Sequence, residues 1–475
     1  MRAHILYGSE WLAPVYPVAY FGSETELQFV AFRLYGPVMS LATIEERENL
    51  GLARRKQIAR RAHADFSAKA RLTPPLVLLQ RAEKGRVPAL LKLKHERMCA
   101  SPFGFFRGAV PVMAADLSSM PNTGLMVQLC GDAHVRNLGA YAAEDGRLIF
   151  DVNDFDETFR GPFEWDLKRM AASLVVAGRE AGNDDKLCAR AVIDCISNYT
   201  ERMRAYAPMP FLTQVRDQIS RIEEIVPVHQ ALQKAVRGTP MHTLEQLTEP
   251  VPGPDATKPG APRRFKEQKP ILTRVTGSKA EAVLKAFEEY RPTLQSQRQR
   301  FLAEYHPVDV AFKVVGTGSV GLRDYCIYLQ GNGPDDPLFI QIKEEAHSAY
   351  APYLQDPHVA RHQGQRVVEG QRLFQTGTDI LLGYTTLDGR DYLVRQLADH
   401  KGSVDPAILC GDGLLGYAVV CGELLARGHA RSGDARQIAA YLGSGEGFAE
   451  TLAEFGRKYA NQTDKDWREL KKVKK

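Results

Sequence analysis

Acidic and amide side chains cluster in two short segments of the first third of the chain. The first segment, CGDAHVRNLG, carries Asp132 and Asn137, and the second, FDVNDFDETF, carries Asp151, Asp154 and Asp156. A carboxylate can accept or orient the proton of an attacking hydroxyl, while an amide and another carboxylate supply the hard oxygen ligands that Mg²⁺ prefers. These are the groups that phosphoryl transfer needs, and their spacing predicts a catalytic and metal-binding site.

The two segments resemble the catalytic loop of aminoglycoside and choline kinases, where GDxHxxN is followed, after a short hairpin, by a strand that ends in Asp. The resemblance implies that Asp132 is the catalytic base and that Asn137 binds metal. The run DFDETFRGPFEWDL, residues 154–167, has the length and the terminal Asp-Leu of the corresponding kinase segment. Asp154 is therefore the expected metal-binding aspartate, and Asp166 is expected to support the loop from behind.

Two positions depart from this kinase pattern. Cys130 stands where many relatives carry His, and Asp156 takes the place of the glycine in the DFG motif of protein kinases. Asp151 therefore stays a competing metal ligand. Asp and Asn also form turns in such loops, and His134 taken alone is expected to pack against or cap a neighbouring strand.

A glycine-rich segment, KVVGTGSVGLRDY, lies almost two hundred residues further on and contains Gly316, Gly318 and Gly321. A GxGxxG spacing fits both a dinucleotide-binding turn, which opens a helix, and a kinase glycine loop, which turns back into a strand. The following LRDYCIYL is rich in Tyr, Ile and Leu, which predicts a strand. The glycines are therefore expected to cover the phosphates of a nucleotide.

A third strand, PLFIQIKEE, ends at Lys343, in the position of the lysine that contacts the ATP phosphates in kinases. Glu369, in the helical segment VVEGQRLFQ, is the expected partner of this lysine, and Arg395 is expected near the hinge between the two halves of the site. The alternative is that Lys343 ends a solvated strand and that Glu369 lies on the surface of its helix.

The order of these segments is the reverse of the kinase order, because the glycine loop and Lys343 follow Asp132. Circular permutation resolves this conflict, since chemistry depends on the spatial arrangement and surface loops tolerate new chain ends. From about Arg54 to Trp467 the chain also resembles a bacterial family catalogued as domain of unknown function 2252. The motifs of that family are RMCASPFGFFRG, QLCGDAHVRNLG, FDVNDFDETFRGPFEWDLKR, KVVGTGSVGLRDY and LLARGHARSGD. They add further candidate residues: Arg107, Lys168, His429, Arg431 and Asp434.

Hydrophobic periodicity divides the chain into five parts. Residues 1–45 form an extension of uncertain role, and residues 46–248 form a helical lobe that carries the catalytic and metal-binding loops. A Pro/Gly-rich loop or linker covers 249–275, and 276–400 form a small nucleotide-binding lobe. Residues 401–475 are expected to be helices that pack on the helical lobe.

Composition limits the classes of function. The chain has 475 residues, of which 62 are basic and 57 acidic, so its charge alone does not indicate a nucleic-acid partner. Seven cysteines without a CxxC spacing favour a reducing compartment over a disulfide framework or a zinc site. No apolar run approaches membrane-spanning length, and a cytoplasmic location is expected.

These features together predict an α+β, protein-kinase-like, two-lobed fold, circularly permuted, with a helix-rich large lobe and a small antiparallel-sheet lobe. The expected function is phosphoryl transfer from ATP, with Mg²⁺, to a hydroxyl of an unidentified small-molecule or protein acceptor. Two rivals stay open: a nucleotide-binding pseudokinase with a regulatory role, and a metal-dependent phosphohydrolase. The hydrolase would use Asp132, His134, Asp151 and Asp154.

Overall fold

The computed structural model describes residues 42–217, 224–254, 256–258, 260–314, 316, 318–397 and 401–474. Most of the predicted N-terminal extension, residues 1–41, lies outside this set. The α-helices are Ile44–Gln57 (α1), Pro75–Ala82 (α2), Pro88–Ala100 (α3), Pro102–Gly108 (α4), Val110–Ser118 (α5), Glu164–Glu180 (α6), Asp185–Tyr206 (α7), Phe211–Arg216 (α8), Val226–Arg237 (α9), Pro240–Leu247 (α10), Ser278–Tyr290 (α11), Ser296–Leu302 (α12), Gln363–Phe374 (α13), Asp412–Ser432 (α14), Ala435–Leu442 (α15) and Phe448–Val473 (α16). Short 3₁₀ helices cover Arg60–Ala64, Ala68–Ala70, Arg291–Thr293 and Pro406–Ile408.

Thirteen strands are found in the described residues, and all of their pairings are antiparallel. They are Met126–Leu129 (β1), Leu138–Ala142 (β2), Leu148–Val152 (β3), Phe159–Pro162 (β4), Thr248–Pro250 (β5), Arg263–Phe265 (β6), Leu272–Val275 (β7), His306–Lys313 (β8), Asp324–Gln330 (β9), Pro337–Glu344 (β10), Gly383–Leu387 (β11), Arg390–Gln396 (β12) and Gly402–Ser403 (β13). The chain is therefore a mixed α+β protein, as predicted.

A bundle of long helices forms the larger core. Helix α6 is buried from Glu164 to Gly178, and it packs between α7 and α16, while α14 packs along α7. Close packing of α14 on α7 depends on Gly422, since a Cβ there would lie 2.0 Å from the carbonyl oxygen of Cys195. The C-terminal helices thus pack on the preceding helical part.

A six-stranded sheet in the order β11-β12-β10-β9-β8-β7 forms the second main element. Strand β10 lies at its centre and is buried at every position from Pro337 to Glu344, which fits its run of apolar residues. Helix α11 packs against β11 and closes a separate hydrophobic cluster that includes Phe287, Tyr290 and Ile340. The edge strand β7 falls inside the stretch predicted to be a loop or linker, so the sheet begins a few residues earlier than expected.

Two small sheets hold the polar loops of the first constellation. Strands β1 and β4 form one pair, and β13-β2-β3 form the other sheet. Helices α8 and α9 follow α7 along the chain, and residues 218–223 between them are not described. None of the helices in the described residues combines the length and apolar character needed to cross a membrane.

Candidate functional site

The loop from Cys130 to Asn137 leaves the end of β1 and is held from behind by Asp166, at the start of α6. The Asp166 carboxylate accepts hydrogen bonds from the backbone N–H groups of Cys130, at 2.8 Å, and Gly131, at 3.1 Å. Gly131 has a φ of +88°, and a Cβ there would lie 2.2 Å from the carbonyl oxygen of Glu157. Glycine is therefore required at the turn that presents the next residue, Asp132.

A second layer holds Asp166 itself. His429 on α14 lies with Nε2 3.2 Å from the Asp166 carboxylate, and its Nδ1 lies 3.0 Å from the hydroxyl of Tyr199 on α7. All three side chains are buried. The family motif around His429 therefore acts on the loop indirectly, through Asp166.

Asp132 pairs with a buried cation. Its carboxylate lies 2.5 Å from the guanidinium of Arg169, one helical turn after Asp166 on α6. The side-chain amide of Asn137 donates to the backbone carbonyl of Asp132 at 2.9 Å, which fixes the other end of the loop. His134 is buried and lies 3.5 Å from Asp132, and burial lowers the pKa of its imidazole to about 3, so His134 is neutral at pH 7.

The acidic loop after β3 meets the central strand of the sheet. The buried ammonium of Lys343 forms an ion pair with Asp156, and it lies 3.9 Å from Asp154 and 3.7 Å from Glu345. Burial and the adjacent charge of Asp156 raise the pKa of Asp154. Although burial opposes it, the Lys343 ammonium lowers the pKa of Asp156. Asp156, which takes the place of the DFG glycine, is thus the carboxylate nearest to the Lys343 ammonium.

The glycine-rich loop connects β8 to β9, two antiparallel neighbours in the sheet. This geometry excludes a dinucleotide-binding turn, which would open a helix. Gly321 has a φ of +92°, and its carbonyl accepts from Val87 N–H at 2.7 Å. The Ser319 hydroxyl donates to Asp156 at 2.9 Å, so the loop is joined to the acidic loop.

A cavity of about 500 Å³ lies between the two polar loops and the glycine loop. Of the residues named from the sequence, the lining contains Asp132, Asn137, Asp154, Gly316 and Gly318, together with the further candidates Arg107, His134 and Asp156. Other polar and charged side chains in the lining are Arg81, Lys84, Arg86, Lys94, Glu157, Ser319, Glu345, His347 and Ser348. The structure therefore brings part of each sequence constellation to one cavity, whereas Lys343 and Gly321 are not among its lining residues.

Asp151 and Glu369, two of the predicted site residues, lie away from this cavity. Asp151 is fully buried and pairs at 2.5 Å with Arg427 on α14, so it is not at the cavity and its carboxylate is committed to a structural ion pair. Glu369 is exposed on α13, where its carboxylate accepts from the side chain of Gln365. The expected pair of Lys343 with Glu369 is therefore not formed, and Glu345 occupies the neighbourhood of the lysine.

The remaining candidates have structural surroundings. Arg395 donates to Gln341 at 2.9 Å and lines a second, much smaller cavity. Lys168 is buried with its ammonium 5.5 Å from the centre of the Phe455 ring. The other motif residues also bind the protein: Arg431 donates to the carbonyl of Val215, and Asp434 caps α15 and pairs with Arg47.

Residues of the site that the sequence did not reveal come from distant segments. Arg86 donates to the carbonyls of Gly318 and Val320, and Lys94 on α3 lies 3.4 Å from the carbonyl of Gly318. No local pattern marks these two residues. Arg169 could have been found from the helical spacing, because a residue three positions after Asp166 lies on the same face of a helix.

Two oxygen donors at the cavity match the ligand preference of Mg²⁺. Asn137 and Asp154 offer an amide and a carboxylate oxygen at the cavity, which are hard ligands suited to Mg²⁺. Within the described residues, no group of three or more His, Cys, Asp and Glu side chains is arranged to hold a metal ion. A Mg²⁺ ion with only two protein ligands takes its remaining oxygen ligands from water or from phosphate groups.

A family model described as an uncharacterized protein conserved in bacteria (DUF2252) matches residues 86–473. Neither the curated proteins nor the solved structures gave a significant match to the chain. The matched range contains the polar loops, the glycine loop, Lys343 and the layer formed by Asp166 and His429. Because the model covers most of the sequence, the chain belongs to the DUF2252 family.

Proposed function

We propose that this chain is an ATP- and Mg²⁺-dependent phosphotransferase with a protein-kinase-like fold in circularly permuted order. The observation that supports it most is the single cavity lined by Asp132, Asn137, Asp154 and the glycine loop, with Lys343 in contact with the acidic loop. Phosphoryl transfer depends mainly on positioning and charge, and this cavity supplies both signs of charge at one place.

In this proposal each group has a separate task. Gly316 and Gly318 leave room for phosphates beside their backbone, and Lys343 contacts them after exchanging part of its contact with Asp156. Asn137 and Asp154 hold Mg²⁺, which neutralises charge on the phosphates. Asp132, fixed by Arg169, orients the acceptor hydroxyl and accepts its proton.

The permuted order fits the way in which the loops are held. The catalytic loop is fastened by Asp166 and His429 within the helical part, whereas Lys343 is fastened by the sheet. Each half carries its own supporting hydrogen bonds, so the sequence order of the halves can be exchanged without changing the site.

The position of Asp151 disfavours the phosphohydrolase alternative. That set of ligands required Asp132, His134, Asp151 and Asp154 together, but Asp151 pairs with Arg427 away from the cavity. A pseudokinase would keep the nucleotide site without turnover, and product analysis separates it from an active enzyme.

The test is calorimetric titration of ATP, with and without Mg²⁺, into the native chain and into Lys343→Ala and Asp154→Asn variants. Magnesium-dependent binding that both variants lose is the expected result, with Glu369→Gln as a matched control that binds normally. Absence of binding to the native chain contradicts the proposal. Incubation with acceptor mixtures then shows whether ADP or pyrophosphate is released, which distinguishes phosphoryl from nucleotidyl transfer.

A further inference from the structure

Lys94 is buried and, among the residues that the structure describes, has no carboxylate partner. Its side chain projects from α3 into the wall of the cavity, and the residue is 4% exposed. Its ammonium makes a long hydrogen bond, 3.4 Å, to the carbonyl of Gly318. In the described part of the chain no carboxylate oxygen lies within ion-pair distance of it.

Buried ammonium groups without a counter-charge are costly, and proteins normally pair them. Another cation in the cavity wall, Arg86, donates to the same carbonyl of Gly318 at 2.9 Å. Two cations thus converge on the tip of the glycine loop. An anion in the cavity would supply the missing charge at this position.

We propose that Lys94 is a phosphate-binding residue that contacts a phosphate group of the bound nucleotide beside Gly318. This proposal rests on the phosphotransferase function proposed above. A lysine is suited to this task, because it approaches a phosphate as a point charge with three donors. Helix α3 precedes the catalytic loop and lies outside the segments that resemble kinases. The resemblance therefore assigns no role to Lys94.

Binding of a phosphate at Lys94 changes its protonation. Burial, with a further contribution from Arg86, lowers the pKa of Lys94 to about 7, whereas Glu83 and Glu157 act in the opposite direction. Arg86 lies in the segment before α3, Glu83 at the end of α2 and Glu157 in the loop before β4, and among the described residues these are the charges that act on the pKa of Lys94. A neighbouring phosphate raises the pKa of Lys94, so binding near pH 7 takes up protons at this residue.

The experiment is calorimetry of Mg²⁺ with a non-hydrolysable ATP analogue at pH 7 in two buffers that differ in ionisation enthalpy. The proteins are the native chain, Lys94→Met, Lys94→Arg and Lys92→Met, the last being an exposed lysine on the same helix. The expected result is that Lys94→Met weakens binding about tenfold to a hundredfold and lowers the net proton uptake relative to the native chain. Lys94→Arg should recover part of the affinity, and Lys92→Met should behave like the native chain.

Separate outcomes identify which idea fails. Native-like affinity and proton uptake in Lys94→Met, with the native chain still binding nucleotide, would overturn the role of Lys94 and leave the phosphotransferase intact. If the native chain binds no nucleotide, pyrophosphate replaces it as the probe. If pyrophosphate binds to the native chain and not to Lys94→Met, the phosphate-binding role of Lys94 is supported and ATP is contradicted as the substrate. If neither probe binds to the native chain, the role of Lys94 and the phosphotransferase proposal are both overturned.

Discussion

The Asp132 carboxylate and the fully buried Arg169 guanidinium form an ion pair at 2.5 Å, and this pair ties the proposed catalytic base to the core of α6. Asp132 therefore has a structural role in addition to the catalytic role proposed for it. A loss of activity on its replacement has two possible causes, which a second substitution can separate.

Asp132→Asn leaves Arg169 buried without its charge partner, so we expect the free energy of unfolding to fall by about 3 kcal/mol. Turnover should fall at least a hundredfold, because the proton acceptor is lost. The double variant Asp132→Asn with Arg169→Gln removes both charges and should recover stability but not activity. Denaturant unfolding and ADP release measure the two effects, and recovery of activity in the double variant would contradict the role of Asp132.

Asp151 should affect stability and not metal binding. Asp151→Asn leaves Arg427 as an uncompensated buried cation, which is expected to lower the free energy of unfolding by about 3 kcal/mol. The Mg²⁺ dependence of nucleotide binding should change less than twofold in the folded protein. Thermal unfolding and calorimetry test this, and a folded variant that no longer responds to Mg²⁺ would restore Asp151 as a ligand.

Glu369→Gln should be nearly silent. The residue is exposed and its carboxylate contacts a neighbour on its own helix, so both the free energy of unfolding and the nucleotide affinity should stay close to native. Urea unfolding and the ATP titration are the measurements. A large loss of affinity would mean that α13 moves on binding and brings Glu369 to Lys343.

Asp324, on β9, makes the stability of the sheet dependent on pH. Burial raises its pKa from 3.8 to about 7, so the folded chain holds the proton more tightly than the unfolded chain. The stability that this provides is present at low pH and is lost as the pH rises from about 4 to about 7. Asp324→Asn, which stays neutral and can keep the contact with Gln341, should therefore gain roughly 2–3 kcal/mol relative to native between pH 5 and pH 8. Chemical unfolding of the variant and the native chain at pH 5 and at pH 8 measures this difference. An equal difference in the free energy of unfolding at the two pH values would contradict the prediction.

Much of the sheet could be predicted from the sequence, because alternating and apolar runs mark its strands. The predicted strand of residues 337–343 corresponds to β10, and the segment from Arg323 to Gln330 to β9. Strand β2, with the sequence LGAYA, is short and contains small residues, so no hydrophobic pattern predicts it. Strand β7 is hidden by the prolines that surround it.

The candidate site was predictable where its residues share a loop and not where they depend on distant partners. Asp132, Asn137 and Asp154 are close in sequence, and the structure places them at one cavity. The structural role of Asp151 depends on its ion pair with Arg427, which lies on α14, 276 positions after Asp151. No local sequence pattern indicates that pair. The partner of Lys343 was misassigned to Glu369 because helical periodicity fixes a face but not its distance from a strand.

The contact of Lys343 with Asp156 joins positions that are 187 residues apart in the chain. Ordering so long an intervening segment costs conformational entropy before the contact can form, and contacts of high sequence separation slow folding. Refolding from denaturant should therefore restore helical circular dichroism early and nucleotide binding late. During synthesis on the ribosome, a chain that already carries its polar loops cannot form this ion pair until the sheet that holds Lys343 has emerged.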